Sequence, residues 1–102
     1  MAEWTRLCSK SELPETGEAR EFPLGERMVC VANVTGSYLA MDNVCLHQGG
    51  PLGQGVIVRG KVVCPWHGWA YDPATGELDR RPGQRVQIYP IKLDGEDVLV
   101  QV

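Results

Sequence analysis

The chain has 102 residues, of which 43% are hydrophobic, and its 10 basic and 13 acidic side chains give a net charge of −3. This length fits a single domain, 1–102. The negative charge argues against nucleic acid as a partner, because phosphate binding needs a basic surface. No apolar run approaches the roughly 20 residues of a membrane-spanning helix, so we expect no membrane partner.

The predicted elements, in chain order, are mostly short strands. Ser9 or Ser11 can cap one helical turn over 9–12, which Pro14 then ends. Runs rich in β-branched and aromatic residues follow at 28–34, 38–41, 56–58, 61–63, 85–91 and 98–102. They are separated by the turn signals Thr35-Gly36, Arg59-Gly60, 72–76 and Asp94-Gly95. Short strands at this spacing predict an all-β sandwich or barrel.

Two stretches depart from strand character, 43–55 and 65–76. Both are rich in glycine and proline, and the histidines His47 and His67 follow cysteines in or beside them. Loops on a rigid β scaffold are where functional residues concentrate. We therefore expect the functional site in these two loops.

The chemistry of these loops is indicated by cysteine and histidine at tight spacing. The first reads Cys45-Leu46-His47 and the second Cys64-Pro65-Trp66-His67, with sixteen residues between His47 and Cys64. Cysteines in this setting bind metal more often than they form disulfides. Two cysteines and two histidines can hold one tetrahedral zinc ion, and a structural zinc-binding interaction module stays an open hypothesis. The many predicted strands weigh against it, because such a chain should not need zinc to fold.

The four residues and their flanks resemble the Rieske iron–sulfur motif. The flanks that agree are Gln48-Gly49-Gly50-Pro51-Leu52, Gly68-Trp69-Ala70-Tyr71-Asp72 and the turn Thr75-Gly76. The resemblance covers about 42–76. It implies the Rieske fold, an antiparallel β-sandwich with a two-loop cluster-binding subdomain. It also implies one [2Fe–2S] cluster per chain, with Cys45 and Cys64 on one iron and His47 and His67 on the other.

The resemblance also bears on the reduction potential. High-potential relatives in respiratory complexes link the loops by a disulfide, at positions that are Gly50 and Trp66 here, and place a serine hydroxyl where this chain has Trp69. Loss of a hydrogen-bond donor to the cluster lowers the potential. Tyr71 acts the other way, because it matches a tyrosine of the high-potential class. We predict the low-potential class, near its upper edge.

Other residues receive more modest predictions. Cys8 and Cys30 are expected to be buried free thiols. The basic cluster of Arg80, Arg81 and Arg85 is expected to be a solvated loop. An apolar collar suited to transient docking is predicted from Leu46, Gln48, Pro51, Leu52 and Trp66.

The function implied by the resemblance is electron transfer without catalysis. Both histidines serve the cluster, so none remains for acid–base chemistry. We predict a monomeric Rieske ferredoxin that carries electrons from a flavin-dependent reductase to a terminal ring-hydroxylating oxygenase, docking near His47 and His67. The alternative is the small subunit of an assimilatory NAD(P)H nitrite reductase. The N-terminus lacks the features of a secretory signal, which predicts a cytoplasmic location.

Overall fold

The structure is a computed structural model that describes residues 3–46, 49–66, 68–79, 81 and 83–101. Two short 3-10 turns occur in this part of the chain, at Lys10–Glu12 and Leu52–Gln54. The remaining elements are strands: β1 (Trp4–Ser9), β2 (Ala19–Leu24), β3 (Arg27–Val34), β4 (Ser37–Asp42), β5 (Val56–Val58), β6 (Lys61–Val63), β7 (Ala70–Tyr71), β8 (Ile88–Tyr89), β9 (Ile91–Asp94) and β10 (Asp97–Gln101). Within the described residues, no helix is both long and apolar enough to cross a membrane.

A four-stranded antiparallel sheet, in the order β2-β3-β4-β8, lies at the centre of the fold. Strand β3 is buried on both faces, because its side chains alternate between two hydrophobic cores. Val29 and Val31 face the first core, and Cys30 and Ala32 face the second. A strand covered on both faces needs a continuous apolar run, and Met28 to Val34 supplies one apart from Asn33.

The first core lies between the central sheet and the three-stranded sheet β1-β10-β9. Val98 and Val100 of β10 are fully buried in it, so β10 alternates between buried and more exposed positions. The core consists of Leu7, Cys8, Leu13, Phe22, Val29, Val31, Ala40, Tyr89, Val98 and Val100.

The second core lies on the opposite face of the central sheet, beneath the sheet β5-β6-β7 and the loops beside it. A single bridge between Glu18 and Val56 also connects this smaller sheet to the segment before β2. The buried residues of the second core are Cys30, Ala32, Met41, Cys45, Leu52, Val62, Cys64, Tyr71, Leu78 and Val86. Two of the predicted metal ligands are therefore core residues of the fold.

The all-β prediction is confirmed, and several strands agree with their predicted bounds. Strands β5 and β6 match 56–58 and 61–63, β3 begins one residue earlier than predicted, and β4 is one residue longer at each end. The predicted helical turn is present as a 3-10 turn, where the Ser9 amide donates to Glu12 Oε1 at 2.9 Å. Cys8 and Cys30 are buried, at 3% and 0% exposure, and no disulfide joins the cysteines.

The structure differs from the prediction at five strands, β1, β2, β7, β8 and β9. A β-bulge between Arg6 and Cys8 breaks the alternation of β1, so Leu7 and Cys8 are both buried. Pro23 lies within β2, which tolerates it because β2 is an edge strand. Strand β7 lies inside the predicted second loop, and the predicted strand 85–91 is divided into β8 and β9 at Pro90.

Tight hairpins set the register of these strands. Thr35 and Gly36 have φ values of 50° and 93°, and Arg59 and Gly60 have 52° and 78°. Positive φ at both central residues is typical of the type I′ turn, which matches the twist of the flanking strands. The β9–β10 turn is shifted by one residue from its predicted position, because Asp94 still pairs with Asp97 and the turn is formed by Gly95 and Glu96.

Candidate metal centre

Two loops bring the thiols of Cys45 and Cys64 together in the second core. Cys45 follows strand β4 and Cys64 directly follows β6, and each side chain is 1% exposed. Burial raises the pKa of the Cys64 thiol above its ordinary value, and the neighbouring Cys45 thiol raises it further. Two adjacent buried thiolates repel each other and lack water, so they need bound metal cations to be stable. The other two predicted ligands, His47 and His67, lie outside the described residues.

The first loop folds back on itself around Cys45. Its two limbs meet in a bridge between Val44 and Pro51. The Cys45 amide donates to the Gly50 carbonyl at 2.9 Å, and the Gly49 amide donates to the Cys45 carbonyl at 3.0 Å. These bonds hold the Cys45 backbone on both sides, so the direction of its thiol is fixed by the loop.

The second loop is closed in a similar way around Cys64. The Cys64 amide donates to the Trp69 carbonyl at 2.8 Å. The Trp66 amide approaches the Cys64 sulfur at 3.4 Å, within reach of a weak hydrogen bond. An amide aimed at a sulfur stabilises negative charge there, as a metal-bound thiolate requires.

Gly50 occupies the contact between the two loops. A Cβ atom at this position would lie 2.6 Å from the Cys64 sulfur and 3.2 Å from the Trp66 ring. Any larger residue would push one loop away from the other. Gly50 is therefore required by close approach, since its φ is not among the positive values.

Tyr71 connects the site to strand β7. Its hydroxyl lies 3.2 Å from the Cys45 sulfur and accepts a hydrogen bond from the Leu46 amide at 2.9 Å. Because the amide occupies the oxygen, the hydroxyl proton is available to the sulfur. Burial raises the pKa of Tyr71, and the contact with Cys45 raises it further, so the hydroxyl stays protonated.

The described residues fit the thiolate half of an iron–sulfur site. They contain no group of three or more histidine, cysteine, aspartate or glutamate side chains that could hold a metal ion. Within the described part of the chain, Cys45 and Cys64 thus bring two thiols to the site. The close approach of the two loops at Gly50 and the amide and hydroxyl donors at the two sulfurs suit thiolates bound to iron.

An arginine contact beside the second loop was missed by the sequence analysis. The Arg81 guanidinium carbon lies 5.2 Å from the centroid of the Trp69 ring, which is within cation–π range. Arg81 and Arg85 are exposed, and Arg80 lies outside the described residues. The basic segment that contains Arg81, predicted as a solvated loop, thus contacts the second loop at Trp69. The sequence signal was weak, because Trp69 and Arg81 are twelve positions apart.

The predicted apolar collar is only partly correct. Leu46 and Trp66 are 49% and 47% exposed, as a docking surface requires, and Val44, which was not predicted, is 51% exposed. Leu52 is fully buried, because it begins a 3-10 turn that points into the second core. Pro51 is half-buried, and Gln48 lies outside the described residues.

The family model described as Rieske [2Fe–2S] domain matches residues 3–90 of the chain. The biphenyl dioxygenase ferredoxin subunit of Pseudomonas sp. (strain KKS102) is 33% identical over 95% of this chain and 90% of its own length. Apoptosis-inducing factor 3 of Homo sapiens is 36% identical over 93% of the chain, but the chain spans only 16% of that protein. The chain thus matches the ferredoxin subunit over nearly the whole length of that subunit. It matches only a small part of apoptosis-inducing factor 3.

Among solved structures, one described as an NADH-dependent nitrite reductase small subunit from Mycobacterium tuberculosis has the same fold. Its TM-score is 0.85, and the match covers 100% of this chain and 96% of that one. The two sequences are 23% identical. This likeness therefore concerns the fold alone.

Proposed function

The chain belongs to the Rieske [2Fe–2S] domain family, and we propose that it is a one-electron carrier rather than an enzyme. Its cofactor is one [2Fe–2S] cluster. The observation that carries the proposal is the pair of buried, adjacent thiols of Cys45 and Cys64, in loops that also expose Leu46 and Trp66. When bound, such a cluster exchanges single electrons at about −150 to +300 mV.

We propose Cys45, His47, Cys64 and His67 as the four ligands. The two thiols are supported by their position, and the two histidines by their place two and three residues further along the same loops. Neutral imidazoles on one iron replace two negative charges, which makes addition of an electron easier than in a four-cysteine site. Zinc is set aside, because the family binds an iron–sulfur cluster.

The surroundings favour the low end of the Rieske range. Gly50 lies against the Trp66 ring, so the two positions that carry the disulfide in high-potential relatives are neighbours here, and neither is a cysteine. Trp69 has no hydroxyl to offer a bridging sulfide, and its carbonyl is engaged by the Cys64 amide. The Tyr71 hydroxyl provides a side-chain donor to Cys45. One such donor supports a potential near the upper edge of the low-potential class.

We propose that the exposed side chains of Val44, Leu46 and Trp66 form the docking surface for redox partners. All three lie on the loops that carry the proposed ligands. A small apolar surface suits short-lived electron-transfer encounters, which bury less area than stable complexes. Exposed Arg81, which contacts the Trp69 ring of the second loop, adds positive charge, and opposite charge on a partner would accelerate association.

The proposed partners are a flavin-dependent reductase and a terminal ring-hydroxylating oxygenase. The support is the 33% identity to a dioxygenase ferredoxin subunit over 90% of that subunit's length. The nitrite reductase alternative has fold likeness at 23% identity, and co-purification with a large sirohaem subunit would decide for it. We also propose a reducing, cytoplasmic setting, which the absence of disulfides among the four cysteines suits.

We propose that 1–102 forms one domain. The family match ends at residue 90, but β10 beyond it pairs with β1 at the other end of the chain. The C-terminal strands thus complete the sheet that covers the first core.

Stopped-flow spectroscopy tests the proposed carrier role. The oxidised protein should be reduced by NADH only with a flavin-dependent reductase present, and the reduced protein should be reoxidised rapidly by a ring-hydroxylating oxygenase without oxygen. Leu46→Glu should slow both steps while leaving the cluster spectrum unchanged. Val58→Glu, exposed on β5 away from the loops, is the matched control. A loaded protein that exchanges electrons with neither partner would contradict the proposal.

A further inference from the structure

Asn43 joins the two limbs of the first loop at its base. The residue is only 4% exposed, and its backbone carbonyl accepts a hydrogen bond from the Leu52 amide at 2.8 Å. Its side-chain Oδ1 accepts from the Gly53 amide at 2.6 Å. One residue thus holds both the start of the loop that carries Cys45 and the end where the chain returns.

Glu21 of strand β2 holds this base from outside the loop. Its Oε2 accepts from Asn43 Nδ2 at 2.8 Å, and its Oε1 accepts from Gln54 Nε2 at 2.9 Å. The backbones are also in close contact, since a Cβ on Gly53 would lie 2.5 Å from the Glu21 backbone nitrogen. The carboxylate therefore bridges an edge strand to both limbs of the loop.

The chemistry of this bridge requires acceptor oxygens at position 21. A carboxylate has two, and both amide groups that face it are donors. The Asn43 amide cannot turn over, because its Oδ1 accepts from the Gly53 amide, whereas the Gln54 side chain is exposed and can. Loss of the acceptor for Asn43 therefore leaves a part-buried donor unpaired and loosens the base of the loop.

We propose that Glu21 is a positioning residue for the [2Fe–2S] site, acting through Asn43 and Gln54 on the loop that carries Cys45. The inference rests on the proposed role of Cys45 as a ligand. Glu21 lies on a different element from every proposed ligand, and neither the motif nor its flanks include it. Outer partners that fix the ligands of a metal typically change metal retention when they are altered.

A reciprocal exchange of donor and acceptor tests this role in the holoprotein. Glu21→Leu removes both acceptor oxygens, and Asn43→Asp keeps an acceptor for the Gly53 amide but sets a carboxylate against Glu21. Each single variant should lose its cluster to a chelator roughly 10-fold faster than wild type. The double variant Glu21→Gln with Asn43→Asp pairs the new amide with the new carboxylate and keeps the net charge, so its release rate should return to within about twofold of wild type.

The control for charge is Glu26→Gln, an exposed position in the β2–β3 turn of the same hairpin. It should leave the release rate unchanged. Visible circular dichroism reports cluster geometry, and thermal unfolding followed in the far ultraviolet reports global stability. Positioning predicts that release and visible dichroism change together in the single variants, and that both recover in the double variant.

The proposal is overturned if Glu21→Leu releases its cluster no faster than Glu26→Gln. It is equally overturned if the folded double variant releases its cluster as fast as the single variants, or if release only follows a fall in global stability. A wild-type protein that carries no [2Fe–2S] cluster would instead refute the proposed function. The two failures are therefore distinguishable, because the second appears before any variant is made.

Discussion

At the scale of single residues, Tyr71 offers a side-chain hydrogen bond to a proposed ligand. Its hydroxyl is 3.2 Å from the Cys45 sulfur. A donor to sulfur stabilises the extra negative charge of the reduced state, so Tyr71→Phe should lower the reduction potential. We expect a decrease on the order of 60 mV, which for one electron is a tenfold change in the equilibrium constant. Voltammetry of the holoprotein measures it.

The matched control for this substitution is Tyr89→Phe. Tyr89 is 8% exposed and belongs to the first core, on the other side of the central sheet. Tyr89→Phe should change the reduction potential by much less than Tyr71→Phe does. Equal potentials for wild type and Tyr71→Phe would show that the hydroxyl does not tune the site.

Gly50→Ala should reduce the amount of cluster bound per chain. The added methyl group would lie 2.6 Å from the Cys64 sulfur, so one of the two loops must move. Gly25→Ala is the control, because a Cβ there meets nothing within 4 Å, although its positive φ strains the turn. Iron and acid-labile sulfide should fall in Gly50→Ala and stay at the wild-type ratio in Gly25→Ala. Full loading of Gly50→Ala would contradict the close approach.

At the scale of elements, the β3–β4 hairpin contains a strained residue. Thr35 has a φ of 50°, which is unfavourable for a β-branched side chain. Thr35→Asn creates the Asn-Gly pair favoured in type I′ turns and should stabilise the protein by about 1 kcal/mol. Thermal unfolding should show a midpoint roughly 4–8 °C higher. A lower midpoint would argue against strain at this turn.

The strands that could be predicted from sequence are those with local signals. Strands β5 and β6 flank the Arg59-Gly60 turn, and both their length and their position were predicted correctly. Strand β1 was missed because its bulge breaks the alternation, and β2 because Pro23 is permitted only by its edge position. Both features depend on the partner strand, which local sequence does not specify.

The site shows the same division between local and distant information. The adjacency of Cys45 and Cys64 was implied by the resemblance to the Rieske motif, and the structure brings these thiols together. The bridge from Glu21 to Asn43 joins residues 22 positions apart, and no motif connects them. The collar prediction was wrong at Leu52, because burial depends on how the loop turns over the core.

At the scale of the whole molecule, two cores share one sheet, and each contains a buried cysteine outside the motif. Burial raises the pKa of Cys8 to about 11 and that of Cys30 to about 12, from an ordinary 9.0. The unfolded chain therefore loses these protons first. The contribution of these two thiols to the free energy of unfolding is complete below about pH 9. It is lost as the pH rises toward 11 for Cys8 and 12 for Cys30.

Cys30→Ala should therefore make the loss of stability above about pH 9 less steep. One proton corresponds to about 1.4 kcal/mol per pH unit. Urea unfolding at a series of alkaline pH values gives the slope, which is compared between variants so that the cost of the smaller side chain cancels. Cys8→Ala should also reduce this slope, over the narrower range from about pH 9 to about pH 11. Slopes identical to wild type in both variants would contradict the assigned role of thiol burial.

The ligand set is the central claim, and the nitrogen couplings in pulsed EPR of the reduced protein test it most directly. Labelling with 15N-histidine restricts the signal to His47 and His67, since the chain has 2 histidines. We predict couplings from two histidine nitrogens bound to one iron, both altered by the label. A reduced [2Fe–2S] signal without histidine coupling would contradict the account, because an all-cysteine site would require both Cys8 and Cys30.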